Sequence, residues 1–479
     1  MLGIWGKWWP RTSRHAARRA PWATEPTVAL MRASAGLFVV TAVMMSNASV
    51  AVAQSTEAQQ SQIRRMPQLD FQSYGLSLDP VDRKAAVSGV SAVYALTRAE
   101  VDVGWDSNVR RSKEGTVSSP FSRLRPGVSL RVDGVESEAY ATVEADLVRY
   151  DNSGRDAYDD VELRTGGRWM ISDLTSVLGG LEVGRLHSER GADADPGPDF
   201  EVQTYQRYAV NGRFESSEWL ALPTRVDGNL SLLNYNSVDG IDRDGFDRWI
   251  GDLRARIGLG AARGGDLLFF VQPGVIHTNY IEENTVGLDS TRLDLAGGAI
   301  WQLSAISSVE GFAGLSRRSF AATGVDAELS ALVGIDAIWN VTPLMTLRSG
   351  LSIANQDTEL ATSNSKVVTD WRGAVDYSPL ENVILGASLR LSNETFDGAD
   401  ADQRYIAGGL DLNYLLNENL YIGAELGHER QTSDNADDEY AATTAMIRFG
   451  AQLCCLRDRV DPREPTRGAR PERLYGIFR

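Results

Sequence analysis

The chain has 479 residues, of which 43% are hydrophobic, and a formal net charge of −16. Such an acidic balance argues against a nucleic-acid partner. The mean hydropathy of −0.24 argues against a bundle of transmembrane helices. It does not exclude strands that cross a membrane, because these carry apolar side chains only at alternate positions.

The N-terminus has the features of an export signal. Met31-Arg32 precede a short apolar core, and a stretch of small residues ends at Ala51-Val52-Ala53. This is the order of a Sec-type secretory signal peptide, although a single membrane anchor is an alternative. We expect residues 1–53 to be a leader in which residues 31–53 form the signal peptide and Met31 is the true start. Residues 54–96 are interpreted as a polar periplasmic lead-in.

From residue 97 to residue 453 apolar residues recur at every second position, with charged, polar or glycine residues between them. Val128-Leu130-Val132 and Leu253-Ala255-Ile257-Leu259 are examples. The segments have the length that a tilted strand needs to cross a membrane. We therefore predict an all-β fold, an antiparallel transmembrane β-barrel of about 18 strands.

Short and long connections alternate between these strands. Asp133-Gly134 and residues 416–419 are short and contain the Gly, Asn or Asp that tight turns need. Residues 190–201, 237–247 and 431–440 are longer and acidic. A barrel inserted from the periplasm sorts its connections in this way, with short periplasmic turns and long extracellular loops.

Aromatic residues near strand ends suggest two girdles, one at each membrane interface. The expected turn-side girdle comprises Trp169, Trp301, Trp339, Tyr377, Tyr414 and Phe449, and the expected loop-side girdle comprises Trp105, Tyr150, Tyr235, Tyr280, Phe320 and Phe396.

The sequence contains no recognisable catalytic or cofactor site. His15, His187, His277 and His428 are too far apart to form a metal-ligand motif, and no nucleophile elbow or phosphate-binding glycine loop is present. We therefore expect neither an enzyme nor a bound cofactor or metal. The aspartates of the acidic loops, among them Asp193, could bind Ca²⁺ or Mg²⁺, but the full calcium-loop pattern is missing. Solvated loops beside lipopolysaccharide are the preferred interpretation.

If the alternating apolar residues face lipid, the arginines between them face the lumen. Guanidinium groups bind carboxylates and sugar hydroxyls, so a row of them could line a pore. The alternative is that they pair with carboxylates on neighbouring strands and merely fill a wet interior. The candidate pore-lining residues are Arg125, Arg131, Arg164, Arg168, Arg254, Arg256, Arg292, Arg348, Arg372, Arg390 and Arg448.

One short motif carries a family resemblance. Trp105, Asp106, Ser107, Asn108 and Val109 follow the first strand, and their order resembles the aromatic-Asp-Ser-Asn-Val signature of the putative β-barrel porin family of outer-membrane proteins. Members are often associated with gene clusters for exopolysaccharide export, so the resemblance implies an outer-membrane channel. In this interpretation Asp106-Ser107-Asn108 marks the point where the strand leaves the bilayer and its backbone regains water.

These features predict a porin-like channel in the Gram-negative outer membrane, either for exopolysaccharide export or for diffusion of polar solutes. The alternative is a structural or adhesive surface protein that binds through its acidic loops. Expected partners are outer-membrane lipid and lipopolysaccharide, the barrel assembly machinery and polysaccharide export components. Residues 454–479 contain many Pro and Arg residues, lack a strand period and are expected to be an unstructured extension; Cys454 and Cys455 receive no role.

Overall fold

The computed structural model describes residues 92–454, with gaps at 135, 194, 218, 220–221, 262–266, 283–288, 305–306, 323, 343, 359–362, 381, 400, 418 and 436–437. The expected leader at 1–53, most of the lead-in and all but the first residue of the C-terminal extension lie outside these residues. None of the helices within the described ranges is long and apolar enough to span a membrane.

The described chain forms one antiparallel sheet of 18 strands, as the sequence predicts. In chain order, they are β1 (Ala92–Asp106), β2 (Ser119–Asp133), β3 (Ser137–Tyr150), β4 (Tyr158–Ser172), β5 (Thr175–His187), β6 (Thr204–Ser216), β7 (Thr224–Tyr235), β8 (Arg248–Ala261), β9 (Leu267–Tyr280), β10 (Ser290–Ser304), β11 (Ser307–Phe320), β12 (Glu328–Thr342), β13 (Met345–Gln356), β14 (Lys366–Leu380), β15 (Val383–Phe396), β16 (Gln403–Leu415), β17 (Leu420–Ser433) and β18 (Tyr440–Cys454).

The sheet closes into a barrel because β1 pairs with both β2 and β18. Leu96 is opposite Cys454, and Asp106 is opposite Thr444, so the first and last strands pair over most of their length. Closure leaves no unpaired sheet edge in the membrane. The first strand begins at Ala92 rather than at residue 97, and the last strand ends at Cys454 rather than at residue 453.

Strict alternation separates an apolar outer wall from a polar inner wall. Val101, Val103 and Trp105 of β1 are exposed, whereas Glu100 and Asp102 between them are buried. The same alternation recurs in the other strands, with exposed Leu, Val and Ile residues on one face. The exposed apolar face is the one that lipid covers in a transmembrane barrel.

The two ends of the barrel differ in their connections. Residues 188–203, 236–247 and 107–118 form the longest connections at one end, which we call the loop end. Connections such as 173–174 and 416–419 lie at the other end, the turn end. This is the arrangement of short periplasmic turns and long extracellular loops.

Only one of the two expected aromatic girdles is present. All six aromatic residues of the expected turn-side girdle are exposed on the outer wall. The loop-side girdle is wrong: Trp105 is exposed, but Tyr235, Tyr280 and Phe396 are buried on the inner wall. Tyr235 packs with Tyr205, Leu233, Ile250 and Ile276 in an apolar cluster inside the barrel.

Aromatic rings on the inner wall also lie over glycines of neighbouring strands. A Cβ at Gly298 would overlap the ring of Phe270, and a Cβ at Gly334 would overlap the ring of Phe312. These rings belong to an inner-wall cluster on β9 to β13. Glycine is needed here for close approach rather than for an unusual backbone conformation.

Candidate functional site

The lumen contains the candidate site, and all of its expected arginines lie on the inner wall. Successive side chains of a strand point to opposite walls, and each of these arginines occupies a position between the exposed apolar residues, which we call inner-wall parity. Arg448, for example, lies between exposed Ile447 and Phe449. The structure places these arginines in two different environments. Some are buried in ion pairs, and others also pair with a carboxylate but keep a large exposed surface towards the lumen.

The buried arginines are most densely paired where the barrel closes. Arg125 Nη2 lies 2.6 Å from Glu100 and 3.0 Å from Asp102. Arg448 Nε lies 2.9 Å from Asp102, and its Nη2 lies 3.2 Å from Glu425. We call these five residues the closure seam. They join β1 and β2 to β17 and β18 through charged hydrogen bonds inside the wall.

Further expected arginines are paired along the wall in the same way, which agrees with the alternative of charges that fill the interior. These pairs are Arg254–Asp252 at 2.9 Å, Arg256–Glu310 at 2.7 Å, Arg292–Asp294 at 3.2 Å, Arg390–Asp370 at 2.5 Å and Arg164–Glu162.

Three expected arginines remain accessible from the lumen. The side chains of Arg168, Arg348 and Arg372 are 41%, 38% and 52% exposed. Arg168 and Arg348 lie close to the turn end of β4 and β13, and Arg372 lies near the middle of β14. Arg131, near the turn end of β2, is half-buried. The accessible cations of the lumen are therefore concentrated in its turn-end half.

The loop-end half is crossed by residues 188–203, which we call the crossing loop. Asp193 in this loop accepts a hydrogen bond from Thr358 at 2.8 Å and lies 2.8 Å from Lys366 Nζ. Lys366 is the first residue of β14, which lies on the opposite wall from β5 and β6. The loop therefore spans the lumen from one wall to the other. Lys366 is completely buried and also pairs with Glu394 at 2.6 Å.

The near end of the crossing loop is fixed by one arginine. Arg190 lies 2.7 Å from Asp156 in the neighbouring loop and 2.9 Å from Asp195 in its own loop. It also donates hydrogen bonds to the carbonyl oxygens of Gly197 and Phe200. A guanidinium group offers five donors in a fixed geometry, so one side chain can set the path of the loop.

A second loop follows β13, and its first two residues, Asp357 and Thr358, also turn inward. Asp357 pairs with Arg318 on β11 and accepts a hydrogen bond from Thr278 on β9 at 2.9 Å. Burial alone would raise the pKa of Asp357, but Arg318 and Arg248 and the hydrogen bonds from Arg318 and Thr278 hold it below its ordinary value. Thr358 of this loop donates to Asp193, so the two loops meet inside the barrel.

The interpretation of the acidic loops as solvated segments is wrong for Asp193 and Asp195, although Asp199 and Glu201 of the same loop are exposed. Asp193 and Asp195 are buried against Lys366 and Arg190. A buried carboxylate requires such a partner, because its desolvation is otherwise costly. Within the described ranges, no group of three or more His, Cys, Asp or Glu residues could hold a metal ion. Asp239 and Asp242 of the next acidic loop are exposed.

The motif after β1 is a buried, hydrogen-bonded segment. This corrects the expectation of a solvated strand end. Asp106 and Asn108 are each only 2% exposed. Asp106 accepts hydrogen bonds from the Asn108 backbone N–H and from Arg111, both at 2.8 Å. Asn108 donates to the carbonyl oxygens of Ser112 and Ala441. The motif thus folds the first loop and joins it to β18.

The remaining motif residues support the same junction. Ser107 donates its backbone N–H to the carbonyl oxygen of Thr443 at 3.0 Å and accepts the Thr443 N–H on its hydroxyl at 2.7 Å. Val109 is buried, while Trp105 remains on the lipid-facing wall. The aromatic residue of the motif therefore faces outward, and the Asp-Ser-Asn-Val residues after it form the buried, hydrogen-bonded start of the first loop.

Sequence reasoning missed Lys366, Arg190 and Arg318, the cations that hold the inward loops. Lys366 is the first residue of β14 and lies on the same face of the strand as the inner-wall residues, so the alternating pattern could have predicted that its side chain points inward. Its partner Asp193 is distant in sequence, and no periodicity links the two. Arg190 belongs to a loop and therefore carried no periodic signal.

Comparisons with known proteins agree with this architecture. Residues 94–453 match the family described as Putative beta-barrel porin 2. No curated protein matches the chain. The structure is similar to OccK9 (OpdG) of Pseudomonas aeruginosa, with a TM-score of 0.43 and 13% identity over 75% of this chain and 98% of that chain. It is also similar to OccK2 (OpdF) of the same organism, with a TM-score of 0.43 and 12% identity over 76% of this chain and 98% of that chain.

A third similar structure is the siderophore receptor PirA of Acinetobacter baumannii, with a TM-score of 0.41 and 7% identity over 75% of this chain and 80% of that chain. The family match extends from the first strand to the last and includes the inward loops and the motif after β1. The chain therefore belongs to the Putative beta-barrel porin 2 family of outer-membrane proteins.

Proposed function

We propose that this porin-like barrel is a gated channel for a polar solute and that the crossing loop holds it closed at the extracellular end. The contact of Asp193 with Lys366 on the opposite wall is the observation that supports this proposal most directly. An 18-stranded barrel encloses more space than its wall side chains fill, so a loop across it decides whether solute passes.

The solute class that we propose is an acidic or hydroxyl-rich saccharide that enters from the periplasm. Arg168 and Arg348 near the turn end and Arg372 at mid-height have accessible guanidinium groups, and these bind carboxylates and hydroxyls. Exopolysaccharide export is the form of this proposal that the family resemblance implies. Diffusion of smaller polar solutes would use the same surface.

The test is block of the open channel in a planar bilayer. Oligogalacturonate added at the turn end should reduce the current of a loop-released protein, and neutral dextran oligomers of similar size should reduce it less. Each of R168Q, R348Q and R372Q should weaken the block by about tenfold, the equivalent of one charged hydrogen bond. Equal block of all variants would contradict the saccharide site while leaving the channel itself intact.

The adhesive alternative depends on acidic loops that remain free to bind a partner. Asp193 and Asp195 are engaged within the barrel. Loop 236–247 keeps exposed carboxylates, including Asp239 and Asp242. Replacing both by asparagine should abolish surface binding in that alternative and should leave conductance unchanged in ours.

A further inference from the structure

The outer wall carries a set of charges that neither the lipid-facing band nor the lumen explains. In the described strands, its ionic side chains are arginines except for one aspartate, and all lie near the loop ends of their strands. They are Arg149 and Asp159, which pair with each other at 2.7 Å, together with Arg185, Arg317, Arg404 and Arg430.

The directions of Arg404 and Arg430 follow from their neighbours. Arg404 has the parity of Ile406 and Leu410 on β16, and both of these side chains are exposed. Arg430 has the parity of exposed Leu426 on β17. Both arginines are exposed as well. They therefore extend from the lipid-facing wall, immediately above its apolar band.

The register brings the two arginines together. Arg404 is opposite Thr432, and Arg430 is opposite Ile406, so the arginines are diagonal neighbours on adjacent strands. Diagonal neighbours lie about 7–8 Å apart, within the reach of two long side chains that converge on one group. Asn393 of β15 is opposite Arg404 and adds an amide to the same outer surface.

The described part of the chain supplies no counter-ion for these arginines. Among the residues that the structure describes, neither Arg404 nor Arg430 has an ion-pair partner, although acidic loops begin nearby at Asp402 and Asp434. A cation beside an apolar, lipid-covered surface is costly unless an anion neutralises it. The anions at this depth of a membrane are the phosphates of lipid headgroups.

We propose that Arg404 and Arg430 bind a phosphate of an outer-leaflet glycolipid, that of lipid A, whose acyl chains then cover Ile406, Leu410 and Leu426. Two guanidinium forks match the oxygens of one phosphate. The turn-end outer wall carries aromatic rings and no ionic side chain in its described strands. The site thus distinguishes the outer leaflet from the inner leaflet, and it does not depend on channel activity.

The test measures retention of lipid A by the full-length protein. Protein folded in mixed micelles with bisphosphorylated lipid A is washed with detergent, and the bound lipid is quantified by native mass spectrometry. The R404Q/R430Q variant should retain lipid A about 30-fold less tightly than wild type, at about fivefold for each arginine near a charged membrane surface. R372Q, which removes an arginine from the lumen, should bind as wild type does.

Three results would overturn the proposal. The first is equal retention by wild type and R404Q/R430Q, and the second is equal binding of dephosphorylated lipid A by wild type. The third is displacement of the lipid by millimolar inorganic phosphate, which would indicate a free-anion site. Folding is checked by the mobility of heated and unheated samples in gels. If the double variant does not fold, R404Q and R430Q are tested singly, and no loss in either contradicts the proposal.

Discussion

Individual buried charges hold the first and last strands together. Asp102 is completely buried and accepts ion pairs from Arg125 on one neighbouring strand and Arg448 on the other. Buried carboxylates and guanidinium groups are stable only as mutually satisfied sets, so removing one member deprives its partners of charged hydrogen bonds that water cannot replace. Substitution of a single residue of the closure seam should therefore weaken the whole barrel.

Asp102→Asn should lower the free energy of unfolding by about 1.5–3 kcal/mol, because Arg125 and Arg448 each lose a charged hydrogen bond to Asp102 and keep only Glu100 and Glu425. Urea unfolding of the protein in micelles, followed by tryptophan fluorescence, measures this change. The matched control is Asp336→Asn, the same change at an exposed carboxylate of the inner wall, which should cost less than about 0.5 kcal/mol. Similar losses for both variants would contradict the role of the seam.

Adjacent glycines on β10 offer a second test of single-residue packing. Gly298→Leu should destabilise the barrel by about 1–3 kcal/mol, because its side chain would overlap the ring of Phe270 and the backbone of Gly311. Gly297→Leu faces the other way, where its first contact is at 3.9 Å, and should be tolerated. The same unfolding assay compares the two. A larger cost at Gly297 would reverse the assignment of inner and outer walls.

At the scale of elements, the two inward loops act together as a lid. The crossing loop is fixed by Arg190 at its base and by Lys366 at its tip, and Asp357 at the start of the second loop is fixed by Arg318. Each contact joins an acidic loop residue to a cation. The lid therefore depends on the ionisation of its carboxylates, which gives it a pH dependence.

Acid should open the lid through Asp357. The pKa of this group is held below its ordinary value of 3.8, so its contribution to closure is fully present above that value. The contribution is lost as the pH falls through the still lower pKa of the folded protein. Bilayer conductance should therefore stay unchanged as the pH is lowered from 7 to 3.8 and rise only below that value.

The D357N variant tests this assignment, because it lacks the titrating group. It should conduct at pH 7 and respond less to acid, whereas D242N, in an exposed loop, should behave as wild type does. A D357N channel that is closed at pH 7 and opens normally in acid would assign the response to another group.

The strands could be predicted from sequence, but the loops could not. Val101, Val103 and Trp105 face lipid, and the requirement for apolar residues at alternate positions makes each strand visible in isolation. Asp193 meets Lys366 only because closure of the ring puts their walls opposite each other, which no local pattern records. The inward direction of Tyr235 could not be predicted for a related reason. Strand β7 carries apolar residues on both faces, so the sequence pattern does not show that Leu233 and Tyr235 point into the barrel.

At the scale of the whole molecule, charge is distributed by location. Carboxylates and arginines lie together on the inner wall, two of the three accessible arginines lie towards the turn end, and in the described strands the arginines of the outer wall lie near the loop end. In our proposal the extracellular end is closed by contacts between loops and walls, while the rest of the lumen keeps accessible cations. This polarity is what a channel loaded from the periplasm and opened outward requires.

The most direct measurement is the single-channel conductance of a variant whose crossing loop is released. D193A/T358A removes the contacts of the loop tip and leaves the Lys366–Glu394 pair of the wall intact. D242A, in the exposed acidic loop, is the control, because the side chain of Asp242 bonds within its own loop. We expect severalfold larger conductance for D193A/T358A than for wild type and D242A. Equal conductance of all three, or no channel even when residues 190–201 are deleted, would contradict the account.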